Sequence, residues 1–164
     1  MPEPVTITVY GTPTPQGSKS GFAIKKDGQY TGRVAMVEGS NKSEAARQRM
    51  KDWRADVRQA AAAVMRDLQA SVLLDPGFPL DGPLAVTVLF TVARPASAPK
   101  RKRTWPCKRP DLDKYLRSVF DSLTSSGVFR DDAQIVQLTA AKDYPGDAGM
   151  LGAPGAVITI RAIS

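Results

Sequence analysis

The sequence predicts an α/β fold of the α+β type, in which two helices cover one mixed β-sheet. Six segments alternate apolar and polar residues at the period of a strand, and two longer segments repeat apolar residues every three or four positions. The strand segments stand before, between and after the helical ones, an order typical of helices packed on a sheet. The chain has 164 residues, 42% of them hydrophobic, which is enough to bury one core. We therefore expect a single domain spanning residues 1–164.

The first half of the chain should contain three strands and a long helix. The strands are expected near Val5–Tyr10, Phe22–Lys26 and Arg33–Val37. The dipeptide Asp27-Gly28 is typical of a tight turn and should join the second and third strands as a hairpin. The helix is expected over Ser43–Ala70, where Asn41 and Glu44 provide a capping box.

Two stripes run along this long helix. The first is apolar, at three- and four-residue steps, and should pack in the core or against a second subunit; it consists of Ala46, Met50, Trp53, Val57, Ala61, Val64 and Leu68. The second is basic, lies about 90° around the helix, and consists of Arg47, Lys51, Arg54 and Arg58. The basic stripe either follows a DNA backbone or is an ordinary solvated face, since aspartates on the same helix partly offset its charge.

The second half should contain a strand, a helix and two further strands. They are expected near Leu84–Arg94, Leu112–Gly127, Gln134–Tyr144 and Ala156–Arg161. The glycine-rich segment Pro145–Gly155 should be a loop, because it lacks the spacing of glycine, lysine and hydroxyl residues that cradles nucleotide phosphates. We therefore expect no nucleotide cofactor.

Composition excludes several kinds of site. The chain has no histidine, which excludes a histidine general base and almost every zinc site. Its one cysteine, Cys107, excludes an internal disulfide. The sequence begins without a basic and apolar leader, and no apolar run approaches the length that spans a membrane. We expect a cytoplasmic protein of a bacterial or phage-infected cell, with no membrane partner.

The net charge of +7 comes from one stretch. Between Arg94 and Arg109 there are seven basic residues and no acidic one. Prolines argue against regular structure there, so we expect an extended basic loop that binds nucleic acid, although a solvated linker has the same composition. Trp105 either stacks on an unpaired base or packs in the core. The candidate DNA-binding residues of this stretch are Lys100, Arg101, Lys102, Arg103, Trp105, Lys108 and Arg109.

Directly after the basic stretch come clustered carboxylates. Asp111 and Asp113 are two positions apart, in a segment that Pro110 biases toward extended backbone, which would place both side chains on one face. Asp131 and Asp132 follow the predicted helix. Clustered carboxylates raise one another's pKa unless a cation joins them, and Mg²⁺ needs only one or two of them. The alternatives are a helix cap, a surface ion pair between Asp113 and Arg117, and a solvated turn.

These residues resemble a known family. The residues Pro110-Asp-Leu-Asp113, Arg117, Asp121 and Gly127–Gln134 are similar to the central motif of the RusA family of Holliday-junction resolvases. The loop Gly11–Lys19 also resembles the glycine- and proline-rich loop of that family. Arg117 stands where the family carries lysine, and Lys114 where it commonly has asparagine.

The resemblance implies a homodimeric endodeoxyribonuclease that binds four-way DNA junctions and makes paired nicks with Mg²⁺, or Mn²⁺ as a substitute. Asp111, Asp113 and Asp132 would bind the metal, with Asp131 as a further candidate ligand. Arg117 or Lys114 would hold the scissile phosphate, because arginine clamps phosphate but cannot act as a titratable acid.

The N-terminal loop is a further candidate for DNA contact. Gln16, Ser18 and Lys19 would contact DNA by resemblance, whereas the alternative is a turn fixed by prolines. The predicted function is junction resolution in DNA recombination and repair. The alternatives are a nuclease of broader substrate range and a noncatalytic DNA-binding protein that retains the fold.

Overall fold

The computed structural model describes residues 3–17, 19–38, 43–71 and 73–163. These residues form six strands, two helices and one short 3₁₀ turn, which confirms the predicted α+β fold with a mixed sheet and two helices. The elements are β1 (Val5–Tyr10), β2 (Lys19–Lys26), β3 (Gln29–Glu38), α1 (Glu44–Gln69), β4 (Leu84–Thr91), α2 (Leu112–Ser126), the 3₁₀ turn (Asp132–Gln134), β5 (Ile135–Asp143) and β6 (Gly155–Ala162).

Four strands form the main sheet, in the order β1-β6-β4-β5. Strand β6 is antiparallel to both β1 and β4, whereas β4 and β5 are parallel. A parallel pair needs a crossover connection, and α2 lies in the one that joins β4 to β5. The predicted strand-helix-strand unit is therefore present. It consists of β4, α2 and β5, and its two strands are neighbours in the sheet.

The core lies between one face of this sheet and the two helices. Ile7, Ile158 and Val88 are paired in register across three strands and are fully buried. The apolar stripe of α1 meets them through Trp53 and Val57, both essentially inaccessible to solvent. Burying each such side chain contributes about 1.5–3 kcal/mol. The apolar stripes predicted from sequence are therefore the faces that attach both helices to the sheet.

Strands β2 and β3 form a separate two-stranded sheet. Their turn has Asp27 at φ 52° and Gly28 at φ 80°, the two positive φ angles that a type I′ hairpin turn requires. The hairpin predicted from this dipeptide is confirmed, and both strands are longer than predicted.

Two further differences from the prediction concern the start of α1 and the end of β4. The N-cap of α1 is Ser43, whose hydroxyl accepts a hydrogen bond from the backbone N–H of Ala46 at 3.2 Å; Asn41 of the predicted capping box lies outside the described residues. Strand β4 ends at Thr91, before the predicted Arg94. Arg94 instead turns its guanidinium toward the carbonyl of Pro99, to which it donates at 2.7 Å.

Candidate active site

The carboxylates Asp111 and Asp113 lie at the start of α2. Asp111 is the N-cap residue, with extended backbone (φ −71°, ψ 147°), and its side chain makes no capping hydrogen bond. Asp113 is in the first helical turn, with its side chain 63% exposed and 3.2 Å from the ammonium of Lys114. The predicted extended segment therefore ends at Asp111, because Leu112 is already helical. Both carboxylates lie where the helix dipole favours negative charge.

The chain turns sharply at the end of α2, just before Asp131 and Asp132. Gly127 has φ 78° and donates from its N–H to the carbonyls of Leu123 and Thr124. Glycine adopts this left-handed conformation at little cost, which ends the helix sharply. Val128 and Phe129 then enter the core with no exposed surface. The chain is thus anchored immediately before Asp131 and Asp132.

The side chain of Asp131 stabilises the 3₁₀ turn. Its carboxylate accepts a hydrogen bond from the N–H of Ala133 at 2.8 Å, so it caps the 3₁₀ turn. The side chain of Gln134 accepts a bond from the N–H of Asp131 at 3.2 Å and completes a reciprocal capping box. Asp132 is the first residue of the turn, and it is the better candidate ligand of the two.

The surroundings of Asp132 disfavour the ionised form of its carboxyl group. Partial desolvation of its carboxyl raises its pKa above 3.8, and the charge of Asp131, a hydrogen bond with Asp131 and the charge of Asp121 add to the effect. The 3₁₀ turn that begins at Asp132 packs against α2. A carboxylate with a raised pKa in a cluster of like charges is typical of a functional site.

Asp121 is also bonded to the N-terminal loop. Its Oδ2 accepts a hydrogen bond of 2.6 Å from the side-chain amide of Gln16, and the backbone N–H of Gln16 donates to the carbonyl of Lys114 at 2.9 Å. Gln16 is 4% exposed, so it ties the loop to α2 and does not present its side chain to DNA. Ser18 and the side chain of Lys19 lie outside the described residues.

The four aspartates predicted to converge are not gathered in one place. Asp121 follows Asp113 by two helical turns, which is about 12 Å along the axis at 1.5 Å per residue. In the described ranges, no group of three or more histidine, cysteine, aspartate or glutamate residues lies close enough together to hold a metal ion. The structure places Asp111 and Asp113 at the start of α2, and Asp132 at the start of the 3₁₀ turn after it.

The basic loop, residues 94–109, contains no helix or strand, as predicted. Its cations Lys100, Arg101, Lys102, Lys108 and Arg109 are exposed. Arg103 is different, because it makes a bidentate ion pair with Asp143, at 3.1 and 2.5 Å, and a second ion pair with Asp147. Its guanidinium also lies 4.0 Å from the centre of the Trp105 ring. Trp105 is 65% exposed, so the core-packing alternative for this residue is wrong.

Strand β5 fixes the last part of the basic loop beside Asp111. The ammonium of Lys142 donates to the carbonyls of Lys108 at 3.0 Å and Pro110 at 2.7 Å. A cavity of about 220 Å³ lies under this part of the loop, bounded by Tyr115, Tyr144 and Lys142 among others. Lys142 was not predicted as a site residue, although a half-buried lysine within a strand is the kind of signal that marks such a residue.

Lys114 and Arg117 lie in the first two turns of α2. Arg117 is exposed and lies four residues after Asp113, which places the two on the same face of the helix. Lys114 is paired with Asp113. Both cations therefore lie in the same part of α2 as Asp113, and their role toward a phosphate stays a prediction.

Comparison with known proteins gives one family match. A family model described as Endodeoxyribonuclease RusA matches residues 30–160. The matched range includes α1, α2, the basic loop and every candidate carboxylate, but not the loop Gly11–Lys19. No curated protein matches the chain. No helix of the described ranges is long and apolar enough to cross a membrane.

Proposed function

The chain belongs to the RusA family of endodeoxyribonucleases, and from that premise we propose that it resolves four-way DNA junctions by hydrolysing phosphodiester bonds. The observation that carries the proposal is the family match over residues 30–160, because it contains the carboxylates, Arg117 and the basic loop together. We further propose that residues 1–164 form one domain of this kind, working in DNA recombination and repair in the cytoplasm of a bacterial or phage-infected cell.

The proposed cofactor is Mg²⁺, with Mn²⁺ as a substitute. Oxygen ligands suit these cations, and a cation would offset the partial desolvation and the neighbouring negative charges that raise the pKa of Asp132. Asp111 and Asp113 at the start of α2, and Asp132 in the 3₁₀ turn, would hold one or two ions together with waters and phosphate oxygens. A bound ion would activate water and neutralise charge on the departing oxygen.

The protein's own cations would bind and orient the DNA. The exposed residues of the basic loop would contact phosphates and lead the strand toward Asp111, where Lys142 holds the loop. Arg117 and Lys114 would hold the scissile phosphate beside the carboxylates. Because arginine stays protonated, Arg117 would contribute charge and geometry and would not transfer a proton.

We propose that the active form is a homodimer. A four-way junction has approximate two-fold symmetry, and a two-fold dimer presents two identical sites to strands of equivalent position. This arrangement would account for paired, symmetric nicks.

The test is cleavage of an end-labelled four-way junction, compared with linear duplex of the same sequence, with Mg²⁺ and with EDTA. We expect paired nicks in the junction that require Mg²⁺ and are lost in Asp113→Asn. Asp67→Asn, at an exposed position of α1, is the matched control and should cleave normally. Equal cutting of duplex would indicate a nuclease of broader range, whereas binding without cleavage in Mg²⁺ or Mn²⁺ would indicate a noncatalytic DNA-binding protein.

A further inference from the structure

The side-chain amide of Gln134 makes four hydrogen bonds. Its oxygen accepts from the backbone N–H groups of Arg130 at 2.9 Å and Asp131 at 3.2 Å. Its nitrogen donates to the carbonyls of Leu80 and Gly82, both at 3.1 Å. An amide has two donor hydrogens and an oxygen with two lone pairs, so all of its hydrogen-bonding capacity is used. Few substitutions can reproduce this pattern.

The two carbonyls that receive the amide hydrogens belong to a firmly held segment. Leu80 is 5% exposed, donates from its N–H to the carbonyl of Val128 at 2.8 Å, and forms an isolated bridge with Phe129. Val128 and Phe129 are completely buried. Gln134 therefore connects the 3₁₀ turn to the core on one side and to the backbone at Arg130 and Asp131 on the other.

The residue held between these attachments is Asp132. The backbone before it is fixed by the oxygen of Gln134, and the carboxylate of Asp131 closes the turn after it by capping Ala133. Asp132 thus keeps a fixed position in a turn that packs against α2. Without that support, we expect the turn to lose its geometry and Asp132 to lose its fixed position.

We infer that Gln134 is a positioning residue for the metal site: its amide holds Asp132 in the place where the cation binds. The inference rests on the proposed function and adds to it a residue that does not itself contact metal or DNA. Groups that orient a ligand from behind typically contribute 10- to 100-fold in metal affinity or activity.

Gln134→Met tests the inference, because it keeps the length of the side chain and removes all four hydrogen bonds. Gln137→Met is the matched control, at an exposed position of the adjoining strand β5. Mn²⁺ binding to the full chain, measured by titration calorimetry without DNA, should be about 10- to 100-fold weaker in Gln134→Met and unchanged in Gln137→Met. Junction cleavage by Gln134→Met should need a correspondingly higher Mg²⁺ concentration and approach the wild-type rate at saturation.

Two further measurements separate positioning from general damage. Thermal unfolding reports whether Gln134→Met still folds, and Gln134→Glu provides a second variant that retains the acceptor toward Arg130 and Asp131. Hydrogen exchange of those two amides should be faster in Gln134→Met and near wild type in Gln134→Glu. If Gln134→Glu folds but its two amides exchange as fast as those in Gln134→Met, the proposed hydrogen bonding is wrong.

The outcomes also separate this inference from the proposed function. Wild-type cleavage together with unchanged Mn²⁺ affinity in Gln134→Met would overturn the inference alone. Wild-type Mn²⁺ binding that weakens in Gln134→Met, without cleavage of any junction, would support the inference and overturn the proposed function. A wild-type chain that binds no Mn²⁺ would overturn the inference together with the proposed cofactor.

Discussion

At the scale of single residues, the carboxylates differ in what their neighbours do to their charge. Asp143 is buried against Arg103, and the hydrogen bonds from that guanidinium hold its pKa below 3.8. Asp131 accepts a capping hydrogen bond. Asp132 is crowded by other carboxylates, and its pKa is raised. The arrangements around Asp143 and Asp131 stabilise the fold. The arrangement around Asp132 opposes folding at neutral pH and therefore indicates a functional role.

Asp132→Asn should stabilise the free protein at neutral pH. Because the pKa of Asp132 is raised in the folded state, the folded chain binds its proton more tightly, and ionisation of this group lowers stability as pH rises. We expect a higher melting temperature for the variant near pH 7, with a difference that shrinks as pH falls toward the unfolded value of 3.8. Calorimetric scans over this pH range measure it, and a lower melting temperature near pH 7 would contradict the argument.

At the scale of elements, strand β5 organises both sides of the candidate site. It starts directly after the 3₁₀ turn that carries Asp132. Farther along, Lys142 and Asp143 hold the basic loop through the carbonyls of Lys108 and Pro110 and through Arg103. One strand therefore fixes the positions of Asp132 and of the basic loop relative to each other.

Asp143→Asn should loosen the basic loop while the core stays folded. The neutral amide cannot compensate the charge of Arg103, and the bidentate ion pair is lost. Limited trypsin digestion should then cut faster near Lys100 and Lys102, and Asp81→Asn, an exposed position before β4, should digest like wild type. The same loosening should occur in the wild-type chain as pH falls below 3.8 through the lowered pKa of Asp143. Digestion of Asp143→Asn at the wild-type rate would show that the ion pair does not restrain the loop.

Periodicity predicted these elements well because it reports which face of a segment is buried. All six strands, both helices and the Asp27-Gly28 turn could be read from the sequence for that reason. The contacts between distant segments could not. The bond from Gln16 to Asp121 joins residues far apart in the chain, and the placement of Asp132 depends on a short capped turn that has no periodic signal.

At the scale of the whole molecule, the positive charge is concentrated on one exposed loop. The chain carries a net +7, and all seven cations of the basic loop are exposed, although Arg103 is paired with two aspartates. DNA affinity should therefore depend on salt through contacts made mainly by this loop.

Replacing Lys100, Arg101 and Lys102 by glutamine should weaken junction binding and make it less sensitive to salt. Each phosphate contact contributes about 0.9 to the slope of log affinity against log salt. Binding curves at several salt concentrations measure this slope for the variant and for Arg47, Lys51 and Arg58 replaced in the same way on α1. A slope that changes only in the α1 variant would assign DNA binding to the basic stripe of α1 and not to the loop.

The pairing of β1 also has a consequence for how the chain is made. Among the described strands, β1 hydrogen-bonds only to β6, and almost the entire chain separates them. During synthesis, the backbone of β1 therefore stays unpaired until β6 has been made, although β1 can already pack against α1. An unpaired strand bearing Val5, Ile7 and Val9 is a template for other nascent chains. Lower expression levels, which reduce the number of nascent chains that expose β1 at one time, should consequently raise the yield of correctly folded protein.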